Sequence, residues 1–116
     1  MPMPELMQLV NEARLEIDEI YPADLKRMQQ SGEDFVLLDV REPDEVAKGA
    51  IAGSIAIPRG MVEVSIDKVT TDKNRQLVLY CSGGLRSTLT AWMLSKMGFQ
   101  NVNSLAGGYD GWIKEK

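Results

Sequence analysis

Short apolar runs alternate along the chain with stretches in which apolar residues recur every three or four positions. Residues 5–16 predict an amphipathic helix: Leu6, Leu9, Val10 and Ala13, with Ile17 just beyond, are separated by charged and amide residues. Asp18 to Ile20 is a short extended candidate. YPADLKRMQQSG then predicts a second helix, with Pro22 suited to its first position and Gly32 to its end. FVLLDV (35–40) is a continuous apolar run ending in a charge, the pattern of a strand buried on both faces. REPDEVAKG can form a short helix started by Pro43 and stopped by Gly49, and SIAIP (54–58) predicts a second buried strand closed by proline. Residues 60–68 are ambiguous and allow one or two helical turns. QLVLY (76–80) predicts the third good strand, STLTAWMLSKMG the longest central helix, ended by Gly98, and NVNSLAGG a last short strand and a glycine turn before Trp112.

Strands separated by helices define an α/β chain with a small, mainly parallel central sheet flanked by helices on both faces. No internal repeat or linker marks a second globular unit, so the division expected is an N-terminal helical extension over residues 1–17 and one domain over 18–116. Sites in such sheets lie beyond the carboxyl ends of the strands. Asp39-Val40-Arg41-Glu42 follows one predicted strand, Arg59-Gly60 a second, and the only cysteine, Cys81, a third.

Composition narrows the chemistry. The net charge is -4 over 116 residues, which gives no basic footprint for nucleic acid. No apolar run reaches the ~18 residues of a membrane span. The N-terminus lacks a secretory signal pattern, so the cytoplasm is the expected compartment, and one cysteine cannot form an internal disulfide. The chain has no histidine, which removes a histidine base, any Ser-His or Cys-His dyad, and a His- or Cys-rich zinc site; no metal is expected. Backbone groups or arginine must activate Cys81 if it reacts.

Between the QLVLY strand and a helix expected to begin near Ser87 lies the loop CSGGLR. Gly83 and Gly84 allow the backbone to curl so that successive N–H groups point inward, forming with the start of the helix an anion-binding nest that would stabilise a Cys81 thiolate. Arg86 adds a permanent positive charge and five donors. The competing reading is a buried, inert thiol, since cysteine is among the most buried residues. A core cysteine does not require two glycines and an arginine directly after it, and the order strand, Cys, Gly-Gly, Arg, helix favours a nucleophile.

CSGGLRS, with LLDVREPDE, GAIAGSIAIPRG and LAGGYDGW, resembles the single-domain rhodaneses, the thiosulfate or persulfide sulfurtransferases, over about residues 18–114. The resemblance implies that Cys81 takes a sulfane sulfur from a donor anion and carries it as a persulfide, with the loop from Ser82 through Gly83, Gly84 and Leu85 to Arg86 holding the anion. A nucleophile then removes the sulfur: cyanide in vitro, a small thiol or a protein cysteine in the cell. It implies no cofactor beyond that covalent intermediate, and two half-reactions with ping-pong kinetics. It assigns Asp39, Arg41 and Glu45 to holding the strand ends rather than to the chemistry, with Ser87 also supporting the loop. Arg59 either draws the anion or is a solvated arginine.

Ala50 stands where the family usually has histidine, a departure that bears on local hydrogen bonding rather than on sulfur transfer. The related cysteine phosphatases, tyrosine phosphatases among them, have one more residue between cysteine and arginine, so the shorter loop here resembles the sulfur-transferring type. Phosphatase or arsenate-reductase chemistry is the less favoured alternative. A non-enzymatic or partner-directed sulfur-carrier module is the other, and the sequence leaves the oligomeric state and the surface that covers the N-terminal helix open.

Overall fold

The chain is described as a computed structural model over residues 2–115. Among the described residues, five strands form one parallel sheet: β1 (Asp18–Ile20), β2 (Val36–Asp39), β3 (Ile55–Ala56), β4 (Leu77–Tyr80) and β5 (Val102–Leu105). Their order is β1-β5-β4-β2-β3, which puts β4 in the centre. The helices are α1 (Pro4–Arg14), α2 (Pro22–Gln30), α3 (Pro43–Ala47), α4 (Val62–Ser65), α5 (Leu85–Lys96) and α6 (Gly108–Lys114). Short 3-10 turns at Arg59–Met61 and Ile66–Lys68 flank α4, resolving the ambiguous stretch as helical. The expected α/β class, with a parallel sheet covered on both faces, is the fold observed.

Strand alternation sorts the core into two layers. Leu77 and Leu79 of β4, Val36 and Leu38 of β2, and Val102 of β5 pack with Ala91 and Leu94 of α5 and Val62 of α4. Val78 and Tyr80, Leu37 and Leu105 face the other way, against Leu25 and Met28 of α2 and Trp112 of α6. Continuing the alternation past Tyr80 points Cys81 into the α5 layer, where it belongs to the same cluster as Leu77 and Leu79.

A third layer lies outside α5. Val10 and Ala13 of α1 are fully buried with Leu89 of α5, and Leu6, Met7, Leu85 and Trp92 pack around them. Trp92 Nε1 donates to Glu16 Oε2 at 2.7 Å, fastening the end of α1 to the same helix. The apolar stripe therefore lies on α5. Leu9, expected on that stripe, is 46% exposed, whereas Ile17, beyond the helix end, is buried in the main core. No helix among the described residues is long and apolar enough to cross a membrane.

Two further expectations are corrected. The SIAIP segment forms only the two-residue β3, paired to β2 on one side at the sheet edge, and both its residues are exposed. The central helix begins at Leu85, two residues before Ser87, because Gly84 takes the left-handed conformation (φ +105) and caps it. Leu85 and Arg86 are thus the first turn of α5, and Ser87 turns inward.

Candidate active site

Cys81 follows the last residue of the central strand, and the chain reverses within three residues to enter α5. Gly84 N–H donates to Cys81 Sγ at 3.1 Å and Ser87 N–H at 3.4 Å, while Ser87 Oγ lies 3.5 Å from the same sulfur. Two main-chain donors and one hydroxyl thus surround the sulfur. Among the described residues, the N–H groups of Ser82, Gly83, Leu85 and Arg86 have no protein acceptor, leaving them for an anion at the start of α5.

Ser87 is held from behind. Its Oγ lies 2.8 Å from Ser104 Oγ and donates to Gly84 O at 3.2 Å, while Thr88 Oγ1 donates to Gly84 O at 2.7 Å and to Ser104 Oγ at 3.1 Å. Ser87, Thr88 and Ser104 are all fully buried, so this hydroxyl cluster fixes the turn without solvent.

Arg86 is committed to a partner that the local sequence does not reveal. Its Nη1 donates to Glu45 Oε1 at 2.8 Å and its Nη2 to Glu45 Oε2 at 3.0 Å; Nη2 also donates to Ser82 Oγ at 2.9 Å. The guanidinium, and after it the Glu42 main-chain N–H, lower the Glu45 carboxyl to about 2. Arg86 is raised in turn, first by Glu45, with the charge of nearby Cys81 contributing.

Asp39 and Arg41 form a separate, buried pair. Arg41 Nη2 donates to Asp39 Oδ2 at 2.7 Å and to Gly49 O at 2.7 Å, and Arg41 Nε to Asp39 Oδ1 at 3.0 Å. The Arg41 guanidinium lies 4.3 Å from the centre of the Tyr109 ring. These contacts tie the end of β2 to the segment after α3 and to α6, and neither residue lines the Cys81 pocket.

The opening of α6 pins the other side of the loop. Tyr109 N–H donates to Cys81 O at 2.8 Å and Asp110 N–H to Ser82 O at 3.0 Å. A Cβ on Gly108 would lie 2.5 Å from Cys81 O and 2.6 Å from Ser82 O, and its φ is +57. Only glycine allows this approach.

Cys81 is 1% exposed yet contributes to a pocket of ≈ 250 Å³. Ser82 and Gly83 line it from the loop, Arg86 from the first turn of α5, Arg59 from the 3-10 turn, and Leu6, Leu85 and Leu89 supply its apolar wall. Arg59 is exposed, is anchored by its N–H to Val40 O at 3.0 Å, and has no ion-pair partner among the described residues. The structure thus gathers Cys81, its loop, Arg59, Glu45 and Ser87 in one place and sets Asp39 and Arg41 behind it. Sequence reasoning missed Leu6, Leu89, Thr88 and Ser104. For Ser104 a signal existed: it lies two residues after Val102, on a strand face that is otherwise apolar.

An open parallel sheet with a cysteine loop at the end of its central strand defines a class of α/β domains. Within that class, residues 21–115 match the model of the rhodanese-like domain, and the chain belongs to that family. The chain is 37% identical over 101 residues to "Putative sulfurtransferase YtwF" of Bacillus subtilis, covering 87% of this chain and 95% of the relative. It is 30% identical over 98 residues to a protein named sulfurtransferase from Allochromatium vinosum, covering 84% and 90%. Among solved structures, a Rhodopseudomonas palustris protein described as of unknown function and a "Possible Tyrosine Phosphatase" matches with TM-score 0.87 and 32% identity, covering 99% of this chain and 96% of its own. A rhodanese-related protein of Thermoplasma volcanium matches with TM-score 0.73 and 31% identity, covering 84% and 92%.

Proposed function

We propose that the protein is a sulfurtransferase that carries sulfane sulfur as a persulfide on Cys81. The observation that carries this is the Cys81 sulfur held by the Gly84 and Ser87 N–H groups, facing a pocket of unpaired main-chain donors. The sulfurtransferase names of relatives at 37% and 30% identity support it. With thiosulfate as donor, the Cys81 thiolate attacks the outer sulfur. A new S–S bond forms, the bond to the sulfonate sulfur breaks, and its electron pair leaves with sulfite. Cyanide then takes the outer sulfur of the persulfide as thiocyanate and returns the thiolate. A small thiol or a protein cysteine takes cyanide's place in the cell, and no cofactor beyond the persulfide takes part. The free thiol suits a reducing compartment, for which the cytoplasm is the proposed setting.

Phosphate-ester hydrolysis is the alternative suggested by the description of the Rhodopseudomonas neighbour. Three features favour sulfur transfer. Only four residues separate Cys81 from Arg86, and the guanidinium that would grip phosphoryl oxygens is bound through both terminal nitrogens to Glu45. Glu45, lowered to about 2, is ionised at neutral pH and has no proton to give a leaving group. The test is steady-state assay of both activities. Thiocyanate formation from thiosulfate and cyanide, lost in Cys81→Ser, is expected; hydrolysis of p-nitrophenyl phosphate without sulfur transfer would overturn the proposal.

A further inference from the structure

Ser104, two residues after Val102 on β5, is fully buried beneath α5, where its hydroxyl meets those of Ser87 and Thr88. Burying a hydroxyl is unfavourable unless it is hydrogen-bonded, so each of these three protons needs a definite acceptor. Tracing them shows what Ser104 does for the sulfur it does not touch.

Among the described residues, the Ser104 proton has one acceptor, Ser87 Oγ at 2.8 Å, because Thr88 Oγ1 is placed to donate to Ser104 and not to receive from it. With that proton arriving, Ser87 must direct its own to Gly84 O at 3.2 Å or to Cys81 Sγ at 3.5 Å. Gly84 O already receives the Thr88 N–H at 3.2 Å and Thr88 Oγ1 at 2.7 Å. It can release the Ser87 proton without being left unpaired. The Ser87 O–H is therefore free to turn to the sulfur whenever that atom gains charge.

We infer that Ser104 is a positioning residue for the second half-reaction: it holds the Ser87 hydroxyl as a donor to the departing Cys81 thiolate. This rests on the sulfur-transfer reading of Cys81. In the persulfide the charge sits on the outer sulfur, and the Ser87 proton rests on Gly84 O. The acceptor attacks the outer sulfur, the S–S bond breaks, and its electron pair stays on Cys81 Sγ. With cyanide the products are thiocyanate and the thiolate, so two negative charges enter and two remain. The Ser87 O–H turns to the charge arriving on Sγ, every hydroxyl keeps its own proton, and no oxidant or reductant enters. That bond is stronger in the transition state than in the persulfide, which is the condition for it to raise the rate.

The test is single-turnover discharge. Protein loaded with sulfur from thiosulfate and freed of excess donor is mixed with cyanide, and the first-order loss of persulfide is followed as thiocyanate formed. Ser87→Ala should slow the discharge by about tenfold and Ser104→Ala by about fivefold. Ser104→Thr keeps the hydroxyl and should discharge within about twofold of wild type. Because Ser104 acts through Ser87, the double alanine variant should be no slower than Ser87→Ala alone. Thr90→Val removes another buried hydroxyl of α5, bonded to Arg86 O at 2.7 Å and outside the cluster, and should match wild type. Only folded, loaded molecules contribute, so lost stability in a variant does not alter the rate constant. A wild-type rate in Ser104→Ala, equal slowing in Ser104→Thr or Thr90→Val, or multiplying losses in the double variant would overturn the inference. Wild-type protein that takes up no sulfur would instead overturn the sulfur-transfer reading beneath it.

Discussion

Glu45 and Arg86, 41 residues apart in the chain, form a two-point ion pair at 2.8 and 3.0 Å beside the cysteine loop. The pair joins α3 to the first turn of α5, so the guanidinium next to Cys81 is oriented from a different strand end. Removing Arg86 takes away both its charge and its bond to Ser82, and Arg86→Ala should lower kcat/KM by about 100-fold. Glu45→Gln should lower it by about tenfold, because Arg86 remains but loses its charged anchor. Since Glu45 acts through Arg86, the double variant should be no slower than Arg86→Ala alone. Multiplying losses in the double variant would show that Glu45 acts independently.

The same pair makes acid stability a second test. Glu45 falls from its ordinary 4.5 to about 2 in the folded chain, chiefly through Arg86. A lowered carboxyl contributes stability that is fully present above its unfolded value and lost as pH falls through its folded value. Arg86, raised, stays charged throughout. Urea midpoints of wild type and Glu45→Gln should therefore differ at pH 7 and converge between pH 5 and pH 2. A gap that stays constant down to pH 2 would mean that Glu45 contributes no such linkage.

Gly108 holds α6 against the carbonyls of Cys81 and Ser82, and a methyl group there would meet main-chain atoms that cannot swing aside. Gly108→Ala should cost about 2 kcal/mol or more and lower Tm by about 10 °C. Gly60 has nothing within 4 Å of the same added carbon and an ordinary φ. Thermal melts of Gly60→Ala should stay within about 2 °C of wild type. Equal melting shifts in the two variants would remove the close approach at Gly108 as the cause.

Ser87 joins the sulfur to the buried hydroxyls of Thr88 and Ser104. Ser87→Ala keeps the N–H that reaches Cys81 Sγ but removes the hydroxyl 3.5 Å away. Alkylation of Cys81 by iodoacetamide should slow by about three- to tenfold, with far-ultraviolet circular dichroism unchanged. An unaltered alkylation rate would leave the hydroxyl with a packing role alone.

The strand, the cysteine, the glycine pair and the arginine were legible because they are contiguous, so their order could be read directly against the geometry of a strand-to-helix turn. The apolar run around Ile55 was misleading for a physical reason: a short edge strand and a buried one share the same composition, and only pairing partners distinguish them. The helix was expected to begin near Ser87, but Gly84 at φ +105 starts it at Leu85. The contacts between Glu45 and Arg86, Ser87 and Ser104, and Leu6 and the pocket join distant segments, and no local periodicity records them. Asp39 and Arg41 lie two residues apart, so their placement together at the end of β2 was legible, while their reach to Gly49 and Tyr109 was not.

The central claim is the sulfur on Cys81, and the mass of the intact protein tests it most directly. After incubation with a sulfane donor and removal of excess reagent, wild type should gain ~32 Da, localised to the peptide containing Cys81 and reversed by cyanide or dithiothreitol. Cys81→Ser should gain nothing. A folded wild-type protein that stays at its unmodified mass with thiosulfate, benzenethiosulfonate and a low-molecular-weight persulfide would contradict the account.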